Sequence, residues 1–223
     1  MMIDKKQYFH RQIQLWGDDI QEALADKKIA IIGAGGLGSS LALALGTSGI
    51  GEINIVDFDR VALHNIHRQI AFTLKDENSY KSQRVAKLVL SKNRFVKVNA
   101  FVMDFTSFAN LGKKYDLILD ATDNFETRKE IDKYSQETKT PWIYASVEAW
   151  HGYVCFFENG SFEAFDTKAH TPDGIAAPIV MQVASLEANI ALRYLAGLSV
   201  KRDKLYYLFY DKDGEFMMQK FRL

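Results

Sequence analysis

The sequence holds one cysteine and three prolines, and its charges cancel. Each shortage excludes something. The lone Cys155 cannot form an internal disulfide or a cysteine-built zinc site. No tract rich in Pro, Gly or Ser divides the 223 residues, so the chain reads as one domain over 1–223. Lys plus Arg and Asp plus Glu stand at 28 each, which leaves no overall field to draw in nucleic acid or an acidic membrane. No apolar run is long enough to cross a bilayer, and "MMIDKKQYFHRQ" lacks the apolar centre of a signal peptide. A cytoplasmic protein is the expectation.

What the chain does have is alternation. "KIAIIGA" (28–34), "EINIVDFD" (52–59), "KVNAFVMDF" (97–105), "DLILDATDN" (116–124) and "PWIYASV" (141–147) read as strands. Helical spacing fills 36–50, 79–93 and 125–139 between them. Strand and helix in turn predict an α/β fold, with right-handed crossovers and a mostly parallel sheet covered by helices on both faces. The pattern then changes. Residues 152–165 predict a hairpin around Asn159-Gly160, and 178–197 a helix opened by Pro178 and ended by Gly197. A second hairpin over 204–221 turns near Asp213-Gly214, so the carboxy-terminal third carries antiparallel hairpins.

The stretch "IAIIGAGGLGSS" (29–40) places Gly33, Gly35 and Gly38 as G-x-G-x-x-G between a strand and a helix. The first glycine permits the turn, the second admits phosphate to the backbone, and the third lets helix and strand pack closely. Asp57 ends the next strand about twenty residues on, where an acid receives ribose hydroxyls. A nucleotide is therefore expected, and this much does not separate NAD from ATP. "DFDRVALHNIHRQ" (57–69) favours a triphosphate, because phosphoryl transfer needs cations where charge builds. Arg68 supplies a planar donor fork beside Asn65 and Gln69, and Lys81 a second, mobile charge. Asp123 ends a parallel strand, placed to hold Mg²⁺. A nicotinamide-linked oxidoreductase would leave Arg68, Lys81 and Asp123 without a role. His64 and His67 lack a third ligand and read as part of the nucleotide loop. Trp16, Trp142 and Trp150 read as packing residues.

"YFHRQIQLWG", "GAGGLGSS", "DFDRVALHNIHRQ", "YKSQRVA" and "LDATDNFETR" occur in one order and spacing that resembles the ThiF/MoeB/HesA family, relatives of the adenylating domains of ubiquitin-activating enzymes. The likeness is strong from Tyr8 to Arg128 and weaker through 178–197 to the end. It implies a Rossmann-like sheet. Residues 1–27 would form a helical extension, 28–147 the nucleotide-binding core and 148–223 carrier-binding hairpins and a helix. Gly33 to Gly38 would wrap the phosphates of ATP, with Gly36 nearest. Asp57 would take the ribose, and Asp59 and Asn124 would join the nucleotide contacts. Asn65, Arg68 and Gln69 would lie along the phosphates, Lys81 on the triphosphate and Asp123 on Mg²⁺. Arg11 would reach across a homodimer to the neighbour's ATP.

The resemblance further implies a reaction. The terminal glycine carboxylate of a small ubiquitin-like carrier ending in Gly-Gly attacks the α-phosphate, pyrophosphate leaves, and a separate sulfur donor protein then acts on the acyl-adenylate. No general base is needed, since a carboxylate is already ionised at neutral pH. Many members carry two C-x-x-C zinc pairs and a cysteine ahead of the last helix. Neither occurs here, so no zinc and no covalent carrier bond are expected. Cys155, inside "YVCFF", reads as a buried inert thiol. The loop 165–178, with Gly174, reads as a cover for the carrier's tail. The carrier is ThiS-like (thiamine biosynthesis, favoured) or MoaD-like (molybdopterin synthesis). A non-catalytic subunit and a tRNA-modifying member stand as alternatives, the latter poorly matched to balanced charge.

Overall fold

Strand β1 (Lys28–Ile32) occupies the middle of the parallel half of the sheet, because every residue after Lys28 is apolar and buried. It pairs in parallel with β2 (Glu52–Val56) on one side. Across the other side, also parallel, lies β4 (Leu117–Asp120). Strand β3 (Lys97–Phe101) flanks β2, and β5 (Trp142–Glu148) flanks β4, both parallel. From β5 the sheet continues antiparallel through β6 (His151–Phe157), β7 (Lys204–Tyr210) and β8 (Phe216–Arg222). The order is β3-β2-β1-β4-β5-β6-β7-β8. This computed structural model describes residues 4–165 and 174–223.

Ahead of the sheet lie three short helices: α1 (Lys5–Tyr8), α2 (His10–Trp16) and α3 (Asp18–Ala23). Longer helices then cover its faces. Because strand side chains alternate, Ile29 and Ile31 join one core and Ala30 and Ile32 the other. The first core lies under α4 (Gly36–Gly46), α5 (Lys81–Lys92) and α8 (Ala177–Leu195). The second lies under α6 (Phe105–Ala109) and α7 (Phe125–Thr138). Each fully buried Ile or Leu contributes about 1.5–3 kcal/mol relative to exposure. Among the described residues, no helix is long and apolar enough to cross a membrane.

Several expectations shift: the strands expected over 52–59 and 116–124 stop at Val56 and Asp120, so Asp57 and Asp123 lie in the loops beyond them. The strand expected over 97–105 stops at Phe101, because Asp104 caps α6 by accepting the Ser107 N–H at 2.7 Å. The helix expected over 36–50 stops at Gly46. The hairpin expected around Asn159-Gly160 is overturned. Strand β6 pairs back onto β5 instead, through a turn at Ala149 and Trp150 that has no glycine and holds Ala149 at φ 49°. The N–H groups of Glu158, Asn159 and Gly160 are taken by the Asp203 carboxylate, so no strand continues from them. The second hairpin turns where the sequence placed it, with Gly214 at φ 81°. Its outer strand β8 is exposed at all seven positions.

One buried group stands apart. Glu187, on α8, is 0% exposed and neither carboxylate oxygen has a hydrogen-bond partner among the described residues. Burial, with the charge of Asp120 adding to it, raises its pKa well above the ordinary carboxylate range. The folded state thus keeps a proton that the unfolded chain loses. The contribution is fully present at acid pH and is lost as pH rises toward the raised folded value. Glu187→Gln should flatten the decline in urea-unfolding stability above about pH 6, and Glu187→Leu should gain on the order of 2 kcal/mol at about pH 8. An unchanged pH slope in Glu187→Gln would refute the neutral carboxyl.

Candidate functional site

Strands β1, β2 and β4 all end on one side, and β1 sends its chain one way while β4 lies the other. The crevice at such a switch point is where open parallel sheets bind ligands. Here it is a cleft of about 650 Å³, lined by the glycine loop, Asp57 to Asp59, Arg68, Gln69, Lys81 and the segment after β4.

The glycines divide into two kinds. Gly33 has φ 96°, and a Cβ there would meet the Ala121 carbonyl oxygen at 2.5 Å. A Cβ on Gly38 would overlap the carbonyl of Gly33. These two are required by the fold itself. Gly35 lines the cleft with only the Gln69 side chain nearby, and Gly36 packs on Val180. Helix α4 starts here with no side-chain cap, so its first N–H groups and the positive end of its dipole face the cleft.

Asp57 closes the loop from the β2 side. Its Oδ2 accepts the Ala34 N–H at 2.7 Å and its Oδ1 the Asp59 N–H at 2.7 Å, which leaves each oxygen a further lone pair. Burial pushes its carboxyl pKa up against these hydrogen bonds and the nearby Lys81 charge.

Two of the three expected cations lie in the cleft. Lys81 is buried rather than mobile, its Nζ 2.7 Å from Asp59 Oδ2. Among the described residues Arg68 meets the His64 carbonyl at 3.3 Å, His67 Nε2 at 3.0 Å and Asn65 Oδ1 at 3.3 Å. It has no acidic partner among them. Gln69 is 4% exposed, and its Oε1 has no hydrogen-bond partner among the described residues. Arg11 lies elsewhere. Its neighbour Gln12 donates to the carbonyl of Ser48, beyond the far end of α4, so Arg11 does not reach its own chain's cleft.

Asp123 and Asn124 follow β4 on the opposite wall. Asn124 caps α7 by accepting the Thr127 N–H at 2.8 Å. Asp123 is exposed and makes no hydrogen bond or ion pair among the described residues. Those residues hold no group of three metal-ligating side chains. One free carboxylate suits Mg²⁺, which takes one or two protein carboxylates together with substrate phosphates.

Arg128 also lines the cleft, with Asp120 buried beneath it, and no role had been assigned to either from the sequence. Both are buried and 3.2 Å apart. The signal available was an arginine inside the first turns of the helix that follows a strand-ending acid. Cys155 is buried, and burial pushes its thiol up to about 12. Of the loop 165–178, residues 166–173 lie outside the described residues.

A model of the ThiF family matches residues 9–223. "Adenylyltransferase and sulfurtransferase MOCS3" of Dictyostelium discoideum is 31% identical over 78% of this chain and 44% of its own length. The chain spans about half the length of such relatives, 44% and 55% of two of them. "Sulfur carrier protein ThiS adenylyltransferase" of Escherichia coli K12 is 32% identical over 88% of this chain and 84% of its own. "Molybdopterin-synthase adenylyltransferase" of the same organism is 29% identical over 85% and 82%. A crystal structure of E. coli MccB with AMPCPP and MccA superposes at TM-score 0.85 over 98% of this chain and 72% of that one. At 20% identity that likeness concerns the fold alone.

The two kinds of glycine separate by experiment. Gly33→Ala should cost about 3 kcal/mol in urea unfolding, through a strained φ and a backbone clash. Gly35→Ala should stay within about 1 kcal/mol while weakening ADP binding, since its methyl stands on the cleft side. Equal destabilisation by both would refute the distinction.

Proposed function

The chain belongs to the ThiF family, and on that premise we propose that it uses ATP to adenylate the carboxy-terminal carboxylate of a small ubiquitin-like sulfur-carrier protein of the ThiS type. One observation carries the reading. An uncapped helix N-terminus and Arg68, which has no acidic partner among the described residues, line one cleft with the Asp123 carboxylate, which has no partner among them either. A nicotinamide enzyme has use for the glycines and Asp57 but not for that opposition of charge.

The chemistry asks for alignment and charge neutralisation. The carrier carboxylate forms a bond to the α-phosphorus while the bond to the leaving pyrophosphate breaks, and no proton moves. The N–H groups of α4 and Arg68 bind the phosphates and stabilise charge as it shifts to the leaving group. Asp57 accepts the ribose hydroxyls, and Lys81, fixed by Asp59, adds a second positive charge beside them. Mg²⁺ held by Asp123 would supply further neutralisation of the triphosphate. Asn65, Gln69 and Asn124 donate to phosphate or ribose oxygens. Arg11 of the partner subunit completes the site, since each chain's own Arg11 lies beyond the far end of α4. The carrier rests on 148–223, and a separate protein then delivers sulfur to the acyl-adenylate.

Exchange of labelled pyrophosphate into ATP, with ThiS-type and MoaD-type carriers in parallel, tests this. We expect exchange with the ThiS-type carrier and a loss of at least about a hundredfold in Asp123→Ala. Exchange with the MoaD-type carrier alone would reassign the partner; exchange with neither, beside tight NADH binding, would overturn the reading. For Arg11, mixing equal amounts of Arg11→Ala and Asp123→Ala chains should restore about a quarter of wild-type activity, because half the dimers are mixed and each has one complete site. No recovery would refute action across the dimer.

A further inference from the structure

Asp123 is the single residue between two anchored neighbours. Before it, Thr122 is held at every polar group it owns. Its N–H and its hydroxyl both donate to Asp120 Oδ1, at 2.9 and 2.6 Å. Its carbonyl accepts from Arg128 Nη2 at 2.6 Å. After it, Asn124 is fixed by its cap on the Thr127 N–H.

The anchor on the Thr122 side is itself rigid. Arg128 Nε donates to Asp120 Oδ2 at 3.2 Å, and the pair is buried, with side chains 5% and 0% exposed. The guanidinium lies 5.6 Å from the ring centre of Phe125 and 5.2 Å from that of Tyr144. Buried ion pairs add little to stability compared with apolar residues of the same shape, and their best-attested use is to fix geometry. Arg128 also sits on α7, the helix whose first turn Asn124 caps. One helix therefore clamps the chain on both sides of Asp123.

We propose that Arg128, acting with Asp120 through Thr122, is a positioning residue that presents the Asp123 carboxylate to the magnesium of bound ATP. This rests on the reading of Asp123 given above. A guanidinium fork spans Asp120 and the Thr122 carbonyl at once; a lysine ammonium at the same place is a single point of charge and releases one of them. Residues that orient a metal ligand typically change metal affinity about 10- to 100-fold when replaced.

The test is calorimetric binding of ATP with Mg²⁺ and again with EDTA, on wild type, Arg128→Lys and Thr122→Val. Wild type should gain affinity with Mg²⁺. Arg128→Lys should lose about tenfold of that gain while its affinity in EDTA stays within about twofold, and Thr122→Val should lose about threefold of the gain. An undiminished gain in both variants overturns the proposal. An equal loss with and without Mg²⁺ in Arg128→Lys also overturns it, because Arg128 would then touch the nucleotide itself. If Arg128→Lys fails to fold, Thr122→Val decides by the same comparison. A wild type with no magnesium-dependent gain removes the reading of Asp123 and this proposal with it; a wild-type gain that the variants retain removes only the positioning role.

Discussion

The turn between β1 and α4 lies against the end of β4 because no side chain stands between the two backbones. Gly33 faces the Ala121 carbonyl and Gly38 the carbonyl of Gly33, at separations that exclude a Cβ. This contact sets the direction of α4, so the open end of that helix faces the crevice. It also ties the glycine loop to the segment that begins at Ala121 and leads to Asp123. Asp57 adds a third chain by accepting from Ala34. Three loops from three strands are thereby brought to one point, and the cleft is what remains between them.

Charge in the cleft is sorted by pairing. Lys81 with Asp59 and Arg128 with Asp120 are matched ions, each held in one place by its partner. Among the described residues Arg68 has no acidic partner and Asp123 no hydrogen bond or ion pair, so both can meet a ligand that is itself anionic and carries a cation. A site built this way offers the ligand its strongest attraction at Arg68, and the cation already paired, Lys81, adds a smaller share. The same logic separates Asp57 from Asp123. The first carboxylate is half used by the loop it ties down, and the second is wholly available.

Much of this was legible in the residues. The glycine spacing, the acid after β2 and the alternation of strand and helix each follow from local chemistry, and the parallel core forms as the alternation requires. What failed was decided by contacts between distant segments. Asn159-Gly160 is a strong turn signal, yet Asp203 takes the neighbouring N–H groups from more than 40 residues away. The true turn at Ala149 carries no local signal, since alanine has no preference for a positive φ. Lys81 reads as a mobile surface charge at a helix start until Asp59 is placed beside it. Arg128 reads as one more polar letter in a charged helix. Its burial against Asp120 depends on the pairing of β4 with its neighbours, which no window of sequence contains.

The sheet closes on one side with β3 and on the other with β8, and β8 is exposed along its whole length. Its outward N–H and C=O groups form an open template for another strand, the feature that globular proteins usually blunt with charge, proline or a bulge. Here Phe216 to Gln219 carry no charge, and only Lys220 and Arg222 stand guard at one end. Partial melting elsewhere is not required for copies to stack edge to edge, since the template is already displayed by the native fold.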